Sequence, residues 1–191
     1  MGKVIFASLV GAIIYYVWQM MTWMVLPIHG PTINALPDEN AVREVLKSQD
    51  LESGVYVIPY GDGESMADPD SEFNKNHQAG PLFSIFFTKQ GGEPMPPKLM
   101  LMGFLNDLAA AFVVSWMLCC ATGCCNSYVK RVLYVTGFGV FLALMAHMSY
   151  MIWMRFPQDY TMMFIVDAVG GWFLAGLGIS AIVKPAPKPP S

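Results

Sequence analysis

The chain has 191 residues, of which 54% are hydrophobic and only 13% are charged. That composition is too apolar for an ordinary soluble domain. The formal net charge is -3 and no basic patch occurs, which excludes nucleic acid as an expected partner. The expected partners are the lipid bilayer and either another membrane protein or further copies of this chain.

Four apolar blocks are long enough to cross the hydrocarbon core of a bilayer as helices. They cover Val4 to Leu26, Leu99 to Leu118, Val132 to Met154, and Tyr160 to Val183. The first block follows Lys3 but has no small-residue cleavage site, which predicts a retained signal anchor. The sequence therefore predicts a membrane all-α fold. It is a four-transmembrane-helix bundle with helices over 1–27, 98–119, 130–154 and 160–183.

The polar residues 28–97, between helices 1 and 2, predict a small α+β extracytoplasmic domain. Pro37 and the acidic residues after it are typical of a helix start, and this helix should reach about Ser48. Two β-rich runs, 54–61 and 81–89, can pair antiparallel with the helix covering one face. Residues 62–80 are expected to form an exposed loop. Two strands alone are marginally stable, so this domain should lean on the membrane helices or on a partner.

The distribution of lysine and arginine predicts the orientation. Positive residues accumulate on the cytoplasmic side of membrane proteins, and here one side collects Lys3, Lys130, Arg131, Lys184 and Lys188. Both termini are therefore expected in the cytoplasm, with residues 28–97 outside, as in a bacterial inner membrane protein. The proline-rich residues 184–191 are expected to form an extended cytoplasmic tail.

Each predicted helix carries a polar residue at a similar depth. Gln19, Asp107, His147 and Asp167 lie eight or nine residues inside the outer ends of their helices, which is roughly 12 to 14 Å. The three ionisable residues share helix faces with small residues, which mark helix contacts in membranes. The pattern predicts an interior polar layer consisting of Gln19, Asn106, Asp107, His147 and Asp167. Such a layer either holds the helices in register or binds ions or protons. His29 and His77 lie in loops and are expected to be solvated.

Methionines supply a second pattern, because eleven of the fifteen fall in the outer halves or mouths of the spans. Thioethers select Cu(I), and carboxylates with imidazole suit divalent metals. The candidate metal ligands are Asp107, His147, Met151, Met154 and Asp167, with copper or another metal as the cofactor. Methionine is also a flexible apolar filler, so packing against a partner is the alternative interpretation.

The sequence contains neither a phosphate-binding glycine loop nor a nucleophile elbow, which favours a non-enzymatic protein. Our first hypothesis is a non-catalytic accessory or assembly subunit of a larger membrane protein complex. It would dock through its outer domain and its methionine-rich outer-leaflet surface. The alternative is transport or binding of an ion, a proton, Cu(I) or a divalent metal through the intramembrane Asp/His/Asp layer.

Overall fold

The computed structural model describes residues 1–185, so the predicted proline-rich tail lies outside the described residues from position 186 onward. The chain forms two compact units. The helical unit comprises residues 1–34 and 95–185, and the α/β unit comprises Ala35–Pro94. All the long helices belong to the first unit, whereas both strands belong to the second.

Four helices are long and apolar enough to cross a membrane: Gly2–Val25, Pro97–Cys120, Tyr128–Trp153 and Gln158–Ile182. This confirms the prediction that the chain has four helices suited in length and composition to span a membrane. The second and fourth, α5 (Pro97–Cys120) and α8 (Gln158–Ile182), are α-helical throughout.

The first and third long helices each contain a π-helical segment. Helix α1 (Gly2–Met20) continues through the π-helical turn Met21–Val25. Helix α6 (Tyr128–Leu142) continues through Ala143–Met148 into α7 (Ser149–Trp153). Turns of this kind re-aim the side chains that follow them and frequently occur at functional sites.

Small residues set the helix contacts of the helical unit. Helix α1 packs against α5 and α8, and α6 packs against α8. A Cβ atom added at Gly139 of α6 would lie 2.5 Å from the Ala168 carbonyl oxygen of α8. At Gly171 of α8, an added Cβ would lie 2.6 Å from the Tyr15 ring of α1. These glycines therefore allow the helices to approach more closely than any residue with a side chain would.

The α/β unit begins with α2 (Glu39–Ser48), whose first turn is capped by the Asp38 carboxylate at 2.9 Å from the Ala41 backbone nitrogen. Strands β1 (Gly54–Ile58) and β2 (Phe83–Phe87) pair antiparallel, as predicted. The apolar residues Val42 and Val45 of α2 remain exposed. The prediction that this helix covers one face of the sheet is therefore wrong.

Residues 62–80 are not the continuous loop that their polar composition predicts. They form two short helices, α3 (Gly63–Ala67) and α4 (Glu72–Ala79). The Asp62 carboxylate accepts a hydrogen bond from the Ser65 backbone N–H at 2.8 Å, while the Ser65 hydroxyl accepts one from the Asp62 N–H. The bond from the Ser65 N–H also lowers the pKa of Asp62 below its usual value. The aspartate and serine residues that suggested a loop are in fact helix caps.

Candidate intramembrane polar site

Two aspartates are buried inside the helical unit. Asp107 of α5 is 7% exposed and Asp167 of α8 is 6% exposed. Tyr15 of α1 lies within electrostatic range of both carboxylates and beside the side chain of Gln19. Three different helices thus bring these polar groups into one region, although the surrounding helix surfaces are almost entirely apolar.

His29 is the partner of Asp167. Its Nε2 atom lies 2.6 Å from Asp167 Oδ2, and the imidazole is 2% exposed. A 3₁₀ turn, Gly30–Thr32, follows directly, and the Thr32 hydroxyl donates to the His29 carbonyl oxygen at 2.8 Å. The prediction that His29 is a solvated loop residue is therefore wrong. The segment after α1 turns back onto the helices, where the buried carboxylate gives the imidazole a hydrogen-bond partner.

Aromatic rings enclose the His29–Asp167 pair. The Trp23 ring stacks on the imidazole with centroids 4.0 Å apart and planes 7° from parallel. Phe164, one turn before Asp167 on α8, meets the imidazole edge-on at 5.6 Å. The Trp18 indole N–H donates to the Asp167 backbone carbonyl oxygen at 3.2 Å. Because Trp23 lies in the π-helical turn of the first span, that turn helps to place it over His29.

The remaining predicted layer residues lie at the margin of this region. His147 is half-buried, packs on Phe164 at 5.3 Å between ring centroids, and lies within electrostatic range of Asp167. Asn106 is exposed and Gln19 is half-buried. The structure therefore pairs Asp167 with His29, which sequence reasoning missed, and places Tyr15 within electrostatic range of Asp107 and Asp167. The turn residues around His29 allow a chain reversal after Trp23, but they do not indicate which acceptor the histidine meets.

The two methionines among the candidate metal ligands are less buried than Asp107 and Asp167. Met154 is exposed and Met151 is half-buried. Among residues 1–185, no group of three or more histidine, cysteine, aspartate or glutamate side chains is placed to hold a metal ion. Binding of copper or another metal, which would also draw on thioethers, stays a prediction.

Three buried polar atoms of these residues have no hydrogen-bond partner among the described residues: His29 Nδ1, Asp107 Oδ2 and Asp167 Oδ1. A carboxylate oxygen can accept a hydrogen bond or bind a proton. An imidazole nitrogen can accept a hydrogen bond, bind a proton or, when protonated, donate a hydrogen bond.

Comparison with known proteins gave no match to a protein-family model, a curated protein or a solved structure. The interpretation of the site therefore depends on its own geometry.

We expect His147→Leu to change stability only slightly. The imidazole contributes mainly a ring contact with Phe164, and leucine keeps most of that apolar contact. The free energy of unfolding in detergent should change by less than about 1 kcal/mol. A chemical denaturation series of the purified full-length protein measures this. A loss of about 3 kcal/mol or more would show that His147 has a polar role in the layer.

Proposed function

We propose that this chain is a four-helix integral membrane protein that acts as a non-catalytic accessory or assembly subunit of a larger membrane complex. The α/β unit is its main docking element and lies outside the cytoplasm, with both termini inside. The observation that carries the proposal is an apolar sheet face that remains uncovered. The positions of lysine and arginine at the helix ends support the orientation.

The strand register identifies the uncovered face. Val55 lies opposite Phe86 and Val57 lies opposite Ser84, so the side chains of these residues share one side of the sheet. Val55 is 58% exposed and Phe86 is 68% exposed. We call Val55, Val57 and Phe86 the open sheet face. Large apolar side chains exposed together in this way mark protein interaction surfaces.

The α/β unit also lacks a core of its own. Among residues 35–94, Gly61 is the only buried residue. A two-stranded sheet without a covered face is marginally stable in water. Contact with a partner protein would bury the open sheet face and would contribute roughly 25 cal/mol for each square ångström of apolar surface removed from water.

Charge indicates the chemistry of the partner. Eleven of the fourteen acidic residues lie in residues 35–94, against four lysines and arginines. Complementary potentials favour association and suppress wrong partners. The proposed partner is therefore a membrane protein whose extracytoplasmic surface has an apolar patch surrounded by lysine and arginine.

Methionines supply a second contact surface in this proposal. Seven of the eleven methionines in the outer halves of the spans are exposed: Met20, Met21, Met24, Met102, Met145, Met154 and Met162. Flexible thioether side chains adapt to irregular neighbouring surfaces. They would pack against helices of the same partner at the level of the outer leaflet.

Site-specific photo-crosslinking in intact cells tests the proposal. A photoreactive residue at position 86 of the full-length protein should yield one main adduct with a different membrane protein. The same residue at position 90, an exposed turn position normally occupied by Gln90, is the matched control and should yield little. An adduct between two copies of this chain would show that the open sheet face joins a homo-oligomer and not a complex with a different protein. Equal labelling at both positions, or none, would overturn the docking role.

The substitution Phe86→Asp is expected to weaken the proposed complex. A carboxylate in the centre of the open sheet face would be desolvated by an apolar partner, so the complex should dissociate at least tenfold more readily. Gln90→Asp adds the same charge outside the face and should leave the complex intact. Quantitative native gels of mild detergent extracts measure both variants, with membrane abundance as a check that each is folded. An undiminished complex in Phe86→Asp would contradict the assignment of this face.

A further inference from the structure

Arg131 is the one buried lysine or arginine among residues 1–185. It lies in the first turn of α6 and is 5% exposed. Its Nε atom donates a hydrogen bond to the Ser180 carbonyl oxygen of α8 at 3.2 Å, and Nη1 donates one to the Asn126 carbonyl oxygen at 3.3 Å. Both acceptors are neutral, so the guanidinium charge has no anionic partner within the described part of the chain.

The acidic residues of the helical unit lie far along the helices from this guanidinium. The unit contains three of them in its sequence, Asp107, Asp159 and Asp167. Asp159 begins α8, at the end away from Ser180, and Asp107 lies near the middle of α5. Asp167 precedes Ser180 by thirteen residues, which is about 20 Å along α8. The counter-charge of Arg131 must therefore come from outside the helical unit.

The hydrogen bonds of Arg131 leave part of its donor capacity unused. A guanidinium has five N–H donors in a planar fork, and the two carbonyl oxygens accept from two of them. The last turn of α8 adds a partial negative charge beside Ser180, which is smaller than the full charge of Arg131. A buried charge without a counter-charge is costly. An anion with several acceptor oxygens would therefore stabilise this end of the helical unit.

Two further cations belong to the same end of the helices. Lys130 precedes Arg131, and both lie within electrostatic range of Cys125 in the connection between α5 and α6. The Tyr128 hydroxyl donates to a carbonyl oxygen of α8 at 3.0 Å, which fixes the start of α6 against the last turns of α8. Lys184 follows the end of α8, and both lysines are exposed. One buried cation and two exposed cations thus flank the contact between α6 and α8.

We propose that Arg131, together with Lys130 and Lys184, binds the phosphate group of an anionic phospholipid. The spans that contain α6 and α8 are long and apolar enough to cross a membrane, which places their ends at the level of the lipid headgroups. Guanidinium groups bind phosphate oxygens in bidentate fashion, and basic sites between membrane helices bind anionic headgroups. This site goes beyond the docking role and does not depend on it.

The surface beside the cations favours a lipid over a soluble phosphate ion. Both ligands present the same phosphate oxygens, but only the lipid has acyl chains. Val129 and Leu133, on either side of Arg131 in the sequence, are 63% and 62% exposed. They lie one turn apart on α6, so they form an apolar strip along which an acyl chain can pack. The phosphate and the chains of one lipid would then contact neighbouring parts of the same helix.

Native mass spectrometry of the full-length protein in detergent tests this site by titration with phosphatidylglycerol or phosphatidylcholine. One phosphatidylglycerol per chain should bind about tenfold more tightly than phosphatidylcholine, which has no net charge. Arg131→Gln should lower the affinity for phosphatidylglycerol about tenfold. Lys98→Gln removes one positive charge at the start of α5, at the other end of that helix from the α5–α6 connection, and should leave the affinity unchanged.

Two further arms keep the test decisive. The double variant Lys130→Gln/Lys184→Gln alters only exposed side chains and should weaken phosphatidylglycerol binding about fivefold or more, even if Arg131→Gln folds poorly. An excess of inorganic phosphate should not displace the lipid. Displacement would assign the site to a soluble phosphate and overturn the lipid assignment. Equal affinity for the two lipids, or phosphatidylglycerol binding that no cation variant weakens, would overturn the site itself.

Discussion

Replacing His29 with phenylalanine is expected to lower the free energy of unfolding by about 3 to 5 kcal/mol. Phenylalanine keeps an aromatic ring between Trp23 and Phe164 but removes the nitrogen that lies 2.6 Å from Asp167 Oδ2. Both oxygens of a nearly fully buried carboxylate would then have no partner in the described part of the chain. The loss arises mainly from the uncompensated group that remains and not from the hydrogen bond itself.

A second variant distinguishes this explanation from a general disturbance of packing. Asp167→Leu alone should also destabilise the protein, because it leaves the His29 imidazole buried without a partner. The double variant His29→Phe/Asp167→Leu should recover most of the loss, since replacing both members of a buried pair with apolar groups is often neutral. Denaturation of the full-length proteins in one detergent measures the complete cycle. Additive losses in the double variant would show that the two residues act independently.

The four membrane helices were predictable because each depends on the average property of some twenty consecutive residues. Length and apolar composition determine whether a helix can span a bilayer, whatever its neighbours. The strands were predictable for a similar reason, because the runs around residues 54–58 and 83–87 are rich in valine, isoleucine and phenylalanine. The burial of Asp107 and Asp167 also followed from local information, namely the small residues on their helix faces.

The partner of Asp167 could not be predicted in this way. His29 is 138 residues away in the chain, and it lies two residues after Pro27 in a segment typical of a solvated turn. Its burial depends on the π-helical turn at Met21–Val25 and on the chain reversal after it. A histidine in a turn contacts water unless tertiary structure provides a specific acceptor, and composition gives no information about that acceptor.

The short helices α3 and α4 could not be predicted from the sequence for another reason. Asp62 and Ser71 favour turns when they are considered singly, yet each accepts a hydrogen bond from a backbone nitrogen three residues later. The same residue types therefore indicate either a loop or a helix start, depending on whether the next residues complete a turn. This ambiguity affects the α/β unit in particular, because its short helices α3 and α4 have no buried apolar pattern that would identify them.

Gly139→Ala is expected to destabilise the helical unit by about 1 to 3 kcal/mol. The new methyl group would meet the Ala168 carbonyl oxygen at 2.5 Å and the Val169 Cα atom at 3.0 Å. Both are backbone atoms of α8, so no side-chain rotation relieves the contact and α6 must move away from α8. Gly137→Ala on the same helix is the matched control, since nothing lies within 4 Å of its added Cβ. That change should be neutral or slightly stabilising, because alanine favours helices.

The comparison of these two alanine variants also tests how the polar site is held in place. Ala168 directly follows Asp167, so a displacement of α8 at Gly139 is transmitted to the His29–Asp167 pair by a single peptide unit. In the His29→Phe background, Gly139→Ala should therefore cost less than in the wild type, since the bond it disturbs is already absent. Denaturation of the four proteins measures this coupling. Equal costs in both backgrounds would mean that the helix contact and the buried pair are energetically separate.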